Sequence, residues 1–173
     1  MPNFSTLLTK DNITAVAIGH FDGVHRGHKE LLKRLGVYGG LVVIDKNKAN
    51  ITPKLKRAEY SSYPCFLYDF ESIKGLGGDE FIALLKRDFK NLQKIVVGFD
   101  FRFGRNRAWD KHDLRRIFDG EVIVVDEVCF DGMGVHSSAI REYIKQGEIY
   151  KANRLLGREY SIEGRVIKGQ GIG

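Results

Sequence analysis

The chain has 173 residues, of which 43% are hydrophobic and 29% charged, the composition of an ordinary globular protein. This length suits one domain with a short appendage. The two cysteines exclude a disulfide framework and no apolar run reaches the ~20 residues of a membrane span, so we expect a reducing, cytoplasmic setting. The net charge of +6 either favours an anionic partner or serves only solubility.

Strand-like and helix-like segments alternate along the chain. Buried strands are predicted at 13–21, 39–45, 64–70, 94–101 and 121–128. Helices are predicted from the amphipathic pattern after residue 28 and at 78–90, 110–118, 138–146 and 148–157. Polar and basic residues 46–62 are predicted to form a loop, and Asp79 is a candidate helix N-cap. The alternation predicts an α/β fold, a parallel sheet covered by helices.

Three unusual segments follow strands of the predicted sheet: residues 19–28, 99–110 and 131–141. Ligands in such folds bind at the carboxyl ends of the strands, in the loops that lead into helices. The three segments therefore predict a single site at one edge of the sheet.

The first segment, GHFDGVHRGH, joins a strand to a helix. Its glycines permit a tight turn and close approach of a ligand or backbone, and His25 and His28 share one helix face. A helix N-terminus with two imidazoles suits a phosphate. A metal site made with His20 and a purely structural turn are the alternatives. No cysteine or carboxylate lies at a standard zinc spacing, which disfavours the metal site.

The other two segments also have more than one interpretation each. Residues 102–116 interleave aromatic and basic side chains, which could cover a flat ring, stack single-stranded bases or form a solvated loop. Ser137 and Ser138 precede a helix, where they could cap it or hold phosphates.

These motifs resemble those of the prokaryotic FAD synthetases, members of the nucleotidyltransferase superfamily. The first segment matches G-x-F-D-G-V-H-x-G-H throughout, and residues 97–104 match V-G-x-D-F-R-F-G. Residues 135–141 are similar to V-S-S-T-x-I-R, with His136 and Ser138 at the positions of the first Ser and the Thr. The resemblance implies a Rossmann-like parallel sheet of the H-x-G-H nucleotidyltransferase type. It also implies FMN adenylyltransferase activity, in which ATP and FMN give FAD and pyrophosphate.

The resemblance further implies roles for individual residues. The implied catalytic residues are His25, His28 and Arg141. The implied nucleotide-binding residues are Gly19, Phe21, Asp22, Gly23, Gly27, Ser137 and Ser138, and the implied flavin-binding residues are Asp100, Phe101, Arg102, Phe103 and Gly104. Mg²⁺ is expected to arrive with ATP, held largely by substrate and water, with no protein metal site. ATP and FMN are the expected partners, without nucleic acid or membrane.

Two regions qualify this picture. Residues 1–157 are expected to form the adenylyltransferase domain, and residues 158–173 resemble the opening of a riboflavin kinase module, so riboflavin phosphorylation is not expected of this chain. The family's T-F-x-P-H-P motif is missing at residues 43–48. A different phosphorylated acceptor, an inactive relative, and a non-catalytic nucleic-acid-binding module remain as alternatives.

Overall fold

The structure, a computed structural model, describes residues 9–46, 51–52 and 56–164 of the chain. Within them, five parallel strands form one sheet in the order β3-β2-β1-β4-β7. These strands are β1 (Ala15–Gly19), β2 (Gly39–Asp45), β3 (Cys65–Asp69), β4 (Lys94–Gly98) and β7 (Glu121–Val125). The helices are α1 (Arg26–Leu32), α2 (Lys56–Ser61), α3 (Phe70–Ile73), α4 (Gly78–Asp88), α5 (Lys111–Ile117), α6 (Ser137–Lys145) and α7 (Ile149–Leu156). The predicted α/β class and Rossmann-like sheet are confirmed.

The strand order reverses between β1 and β4, which are hydrogen-bonded neighbours. From β1 the chain proceeds outward to β2 and β3, and then returns to add β4 and β7 on the other side. Loops that leave the carboxyl ends of two such strands diverge and open a crevice between them. The segments after β1 and β4 therefore flank one crevice.

Alternate residues of the strands face opposite layers of the core. In β1, Val16 and Ile18 join a cluster with the apolar residues of α4, whereas Ala15 and Ala17 join a cluster with the leucines of α1. This period of two is the signature of strands covered on both faces. A third buried cluster joins α6 to α7 through Ile140, Leu155 and their neighbours.

Several element boundaries differ from the prediction. The strands β1, β4 and β7 end two or three residues earlier than predicted, for example at Gly98 rather than residue 101, whereas β2 ends at Asp45 as predicted. The predicted loop at 46–62 contains the helix α2, and residues 47–50 and 53–55 of that prediction lie outside the described part of the chain. Asp79 is not the N-cap of α4, because the helix begins one residue earlier at Gly78, and the cap is Gly77.

Two short antiparallel hairpins lie within the segments predicted as loops. β5 (Arg102–Phe103) pairs with β6 (Trp109–Asp110), and β8 (Cys129–Phe130) pairs with β9 (Met133–Gly134). Arg102 and Phe103 of the first hairpin line the cavity, whereas Phe130 and Met133 of the second pack against the cluster that joins α6 to α7. In the described part of the chain, no helix combines the length and apolar character needed to cross a membrane.

Candidate functional site

A cavity of about 750 Å³ lies at the carboxyl ends of the strands. Its wall is formed by the segments after β1 and β4, the end of β2, and the start of α6. Every residue predicted for the site lines this cavity except Gly23. The sheet therefore brings the three motif segments together as predicted.

The turn after β1 has an unusual backbone. Phe21, Gly23 and Val24 have φ values of 51°, 97° and 41°, a region that disfavours side chains and especially β-branched ones. Phe21 and Val24 are fully buried, so packing holds them in this conformation. Gly23 faces Ile51 and Leu156 rather than the cavity, and its lack of a side chain serves the turn rather than a ligand.

Asp22 ties this turn to two distant segments. One carboxylate oxygen accepts hydrogen bonds from the backbone N–H groups of Ile51 (3.0 Å) and Thr52 (2.9 Å). The other oxygen lies 3.3 Å from Nη2 of Arg141, and the Asp22 backbone carbonyl accepts a hydrogen bond from the Ser137 hydroxyl at 2.7 Å. Its carboxylate is buried and fully engaged, so Asp22 positions the cavity wall in this structure.

His25 and His28 form a stacked pair at the start of α1. Their ring centroids are 3.6 Å apart, and His28 also packs against Phe21. His25 is the N-cap of α1, and its Nδ1 accepts the backbone N–H of His28 at 3.3 Å. A Cβ on Gly27 would lie 3.2 Å from the His25 ring and 3.3 Å from the Val135 carbonyl oxygen. Gly27 therefore permits both the histidine stack and the close approach of the segment before α6.

Burial keeps both imidazoles neutral. Desolvation, with a smaller electrostatic contribution from the nearby His136, lowers the pKa of His25 to about 3. Desolvation and the nearby His25, His20 and Arg57 lower the pKa of His28 well below its ordinary value. Because Nδ1 of the neutral His25 accepts a hydrogen bond, its proton lies on Nε2, where it is a donor. Nδ1 of His28 is buried without a hydrogen-bond partner in the described structure.

His136, rather than either serine, is the N-cap of α6. Its side chain makes no capping hydrogen bond, because Nε2 instead contacts Oε1 of Glu127 at 2.8 Å. Ser137 is used to bind the Asp22 carbonyl, and the exposed Ser138 lines the cavity. The alternative role of the serines as N-caps is therefore wrong.

The second segment forms an aromatic wall. The rings of Phe101 and Phe103 are stacked, with centroids 5.3 Å apart, and Phe103 is buried in the core. Gly104 has a φ of 70°, and a Cβ there would lie 2.5 Å from the Trp109 ring. Asp100 and Arg102 are exposed at the cavity edge. The wall therefore offers apolar surface beside one carboxylate and one guanidinium group.

Sequence reasoning missed several residues that line the cavity: Asp45, Lys46, Arg57, Phe70, Lys74, Arg107 and Glu127. Most of them lie at the end of β2, in α2, or at α3, that is, just before, within or shortly after the region predicted as a loop. The cluster of basic residues between 46 and 57 could have indicated that this region contributes to an anion-binding site.

Within the described residues, no group of three or more His, Cys, Asp or Glu side chains is arranged to hold a metal ion. His20, the third histidine of the motif, directs its Nδ1 to the backbone oxygen of Ile44 at 2.7 Å. Desolvation lowers the pKa of His20. Its ring is thus engaged with β2 rather than with the histidine pair.

Comparison with protein families identifies the chain. The model of the family described as FAD synthetase matches residues 8–38 and 45–139. The chain belongs to the FAD synthetase family.

Several relatives of this FAD synthetase family member are named "Bifunctional riboflavin kinase/FMN adenylyltransferase". The protein from Buchnera aphidicola (subsp. Schizaphis graminum) is 30% identical over 92% of the chain, and that from Escherichia coli K12 is 28% identical over 91%. The chain spans only 60% and 58% of their lengths. A relative from Geobacillus thermodenitrificans, named for the same two activities, is 34% identical, and the chain covers 89% of it.

A crystal structure described as a macrolide-efflux protein from Streptococcus pneumoniae shares the fold, with a TM-score of 0.71 and 28% identity. The match covers 86% of this chain and 65% of that one. The efflux activity in that description refers to the Streptococcus pneumoniae protein.

Proposed function

We propose that this chain is an FMN adenylyltransferase, which transfers AMP from ATP to FMN and releases pyrophosphate. The observation that carries the proposal is the meeting of three motif segments at one cavity: the histidine pair, the aromatic wall and the start of α6. Family membership and the relatives named for this activity support it.

The reaction is a single phosphoryl-type displacement. A phosphate oxygen of FMN forms a bond to the α-phosphorus of ATP, and the bond from that phosphorus to the bridging oxygen of the β-phosphate breaks. The FMN phosphate is already a nucleophile at neutral pH. Catalysis therefore rests on positioning and on stabilising the charge that develops on the phosphates.

The neutral histidines suit this task as hydrogen-bond donors rather than as charges. Nε2–H of His25 would donate to an oxygen of the α-phosphate, and His28, stacked against it, would donate from the same side. Rings fixed by stacking and burial need no reorganisation during the reaction.

The start of α6 would bind the outgoing phosphates. Its first backbone N–H groups have no side-chain cap, and Ser138 adds a hydroxyl at the cavity. Arg141, held by Asp22 and about one-third exposed, would neutralise charge on the leaving pyrophosphate. The flavin would lie against Phe101 and Phe103, with Asp100, Arg102 and Gly104 at its edge.

Mg²⁺ would enter with ATP. The ion would keep phosphate and water as most of its ligands, as Mg²⁺ commonly does when it binds with a nucleotide. When bound, the ion would neutralise phosphate charge. We also propose a cytoplasmic location, which the two free thiols, Cys65 and Cys129, support.

The test is chromatography of the products formed from FMN and MgATP by the purified chain. FAD and pyrophosphate in equal amounts are expected. Parallel reactions with phosphopantetheine and nicotinamide mononucleotide test other acceptors. Turnover of either one without FAD formation would overturn the proposal, as would binding of both substrates with no turnover.

A further inference from the structure

Arg57 is the largest of the fully buried side chains, with 1% of its surface exposed. It lies on α2, a helix with no counterpart in the sequence prediction. A buried guanidinium group normally has a carboxylate partner or several carbonyl acceptors, because removing its charge from water is costly.

Two of the three guanidinium nitrogens of Arg57 have no partner in the described structure. Its Nε and Nη1 are both buried, and no described residue accepts a hydrogen bond from them. None of the described ion pairs includes Arg57. A guanidinium group kept only for packing would be replaced at lower cost by an apolar side chain.

Arg57 lies where its charge can act on a ligand in the cavity. The residue lines the cavity, as does His28, whose Nδ1 is likewise buried without a partner. Arg57 also lies close enough to His28 for its charge to contribute to the lowered pKa of that imidazole.

We propose that Arg57 binds a phosphate group of a nucleotide substrate within the cavity. The proposal rests on the adenylyltransferase function proposed above, whose two substrates both carry phosphate. A guanidinium group presents parallel N–H donors that match two phosphate oxygens, and a dry environment strengthens such a pair. The bound phosphate supplies the acceptors that Arg57 lacks in the free protein.

The experiment compares wild-type protein with the Arg57→Met variant, which keeps the length of the side chain and removes its charge. Flavin fluorescence measures binding of FMN and riboflavin, and calorimetry measures binding of ATP and adenosine. We expect at least tenfold weaker binding of FMN or of ATP, and changes of less than twofold for riboflavin and adenosine. Loss confined to FMN assigns Arg57 to the acceptor phosphate, and loss confined to ATP assigns it to the triphosphate.

Thermal unfolding without ligand provides the second readout. Because Arg57→Met removes an uncompensated buried charge, its Tm is expected to equal or exceed that of the wild type. Arg57→Lys, which keeps the charge without the planar fork, should bind the affected ligand with intermediate strength. Arg87→Met, at an exposed arginine of α4, is the matched control and should change no binding constant.

Two results would overturn the inference. One is binding of FMN and ATP within twofold of wild type. The other is a lower Tm with equal weakening of each phosphate ligand and its phosphate-free counterpart, which indicates a structural role. Failure of the proposed function is seen separately, as wild-type protein that forms no FAD.

Discussion

The imidazole ring of His28 is held rigidly by packing against two neighbouring rings. It packs between His25 and Phe21, and its Nδ1 has no partner in the described structure. We expect His28→Ala to lower kcat for FAD formation by ~10²–10³, the effect of removing a transition-state donor. A continuous pyrophosphate-release assay measures this. His112→Ala, at an exposed histidine of α5, should retain wild-type kcat, and equal loss in both variants would contradict the assignment.

His25 links the site to acid stability. The pKa of His25 is about 3 in the folded chain and about 6.5 when unfolded, so between these values the unfolded state binds more protons. Above about pH 6.5 the titration of His25 therefore takes nothing from the free energy of unfolding. Below that pH it lowers the free energy of unfolding by up to about 1.4 kcal/mol for each pH unit.

The variant that isolates this effect is His25→Asn, because asparagine preserves the N-cap of α1. Its free energy of unfolding should fall less steeply than that of wild type between about pH 6.5 and pH 4. Urea unfolding at successive pH values checks this. Parallel pH profiles for the two proteins would show that His25 does not titrate in this range.

At the scale of elements, Asp22 joins the turn after β1 to residues 51–52 and to α6. Asp22→Ala should lower the free energy of unfolding by about 3–5 kcal/mol, because two buried N–H groups and the Arg141 guanidinium lose their acceptor. Chemical denaturation measures the loss. As a control, Asp119→Ala removes an exposed ion pair with Lys86 and should cost less than about 1 kcal/mol. Similar losses in the two variants would show that the Asp22 contacts do not stabilise the fold beyond an ordinary surface ion pair.

The sequence was sufficient to predict those elements whose periodicity is strong. Apolar runs such as residues 94–98 and the amphipathic pattern of α4 predicted the sheet and its covering helices. Motif spacing predicted which loops meet, since parallel strands place their carboxyl ends together. The helix α2 was missed because its six residues are too short and too polar for a clear period.

The partners of the site residues could not be predicted from spacing. The implied role of Asp22 in nucleotide binding stays a prediction, but the spacing gave no sign that its carboxylate binds backbone groups about thirty residues away in sequence. Gly23 forms the tight turn that the sequence predicts, with a positive φ, and its implied role in nucleotide binding stays a prediction. These hydrogen-bond and packing partners come from distant segments of the chain, and the spacing of residues within a short motif does not predict them.

At the scale of the whole molecule, the segment after α7 returns to the turn after β1. Arg158 donates from Nη2 to the Gly23 carbonyl at 2.9 Å and to the Thr52 hydroxyl at 3.2 Å, and its guanidinium group lies 3.8 Å from the centre of the Tyr60 ring. Residue 158, the first residue of the segment that resembles the opening of a riboflavin kinase module, is thus anchored. Residues 165–173 of that prediction lie outside the described part of the chain, and the domain boundary at 157 stays a prediction.

This anchoring predicts that Arg158 stabilises the first turn from the far end of the chain. Arg158→Ala should lower the free energy of unfolding by about 1–3 kcal/mol, because the Gly23 carbonyl loses a charged donor and the Tyr60 ring loses its cation. Arg158→Lys should recover little of this, since an ammonium group lacks the planar fork that reaches two acceptors while stacked on a ring. Urea unfolding of both variants measures the effect. Arg116→Ala, which removes only an exposed ion pair with Asp113, should change stability by less than about 1 kcal/mol. Wild-type stability of Arg158→Ala would mean that the turn after β1 is held without the C-terminal segment.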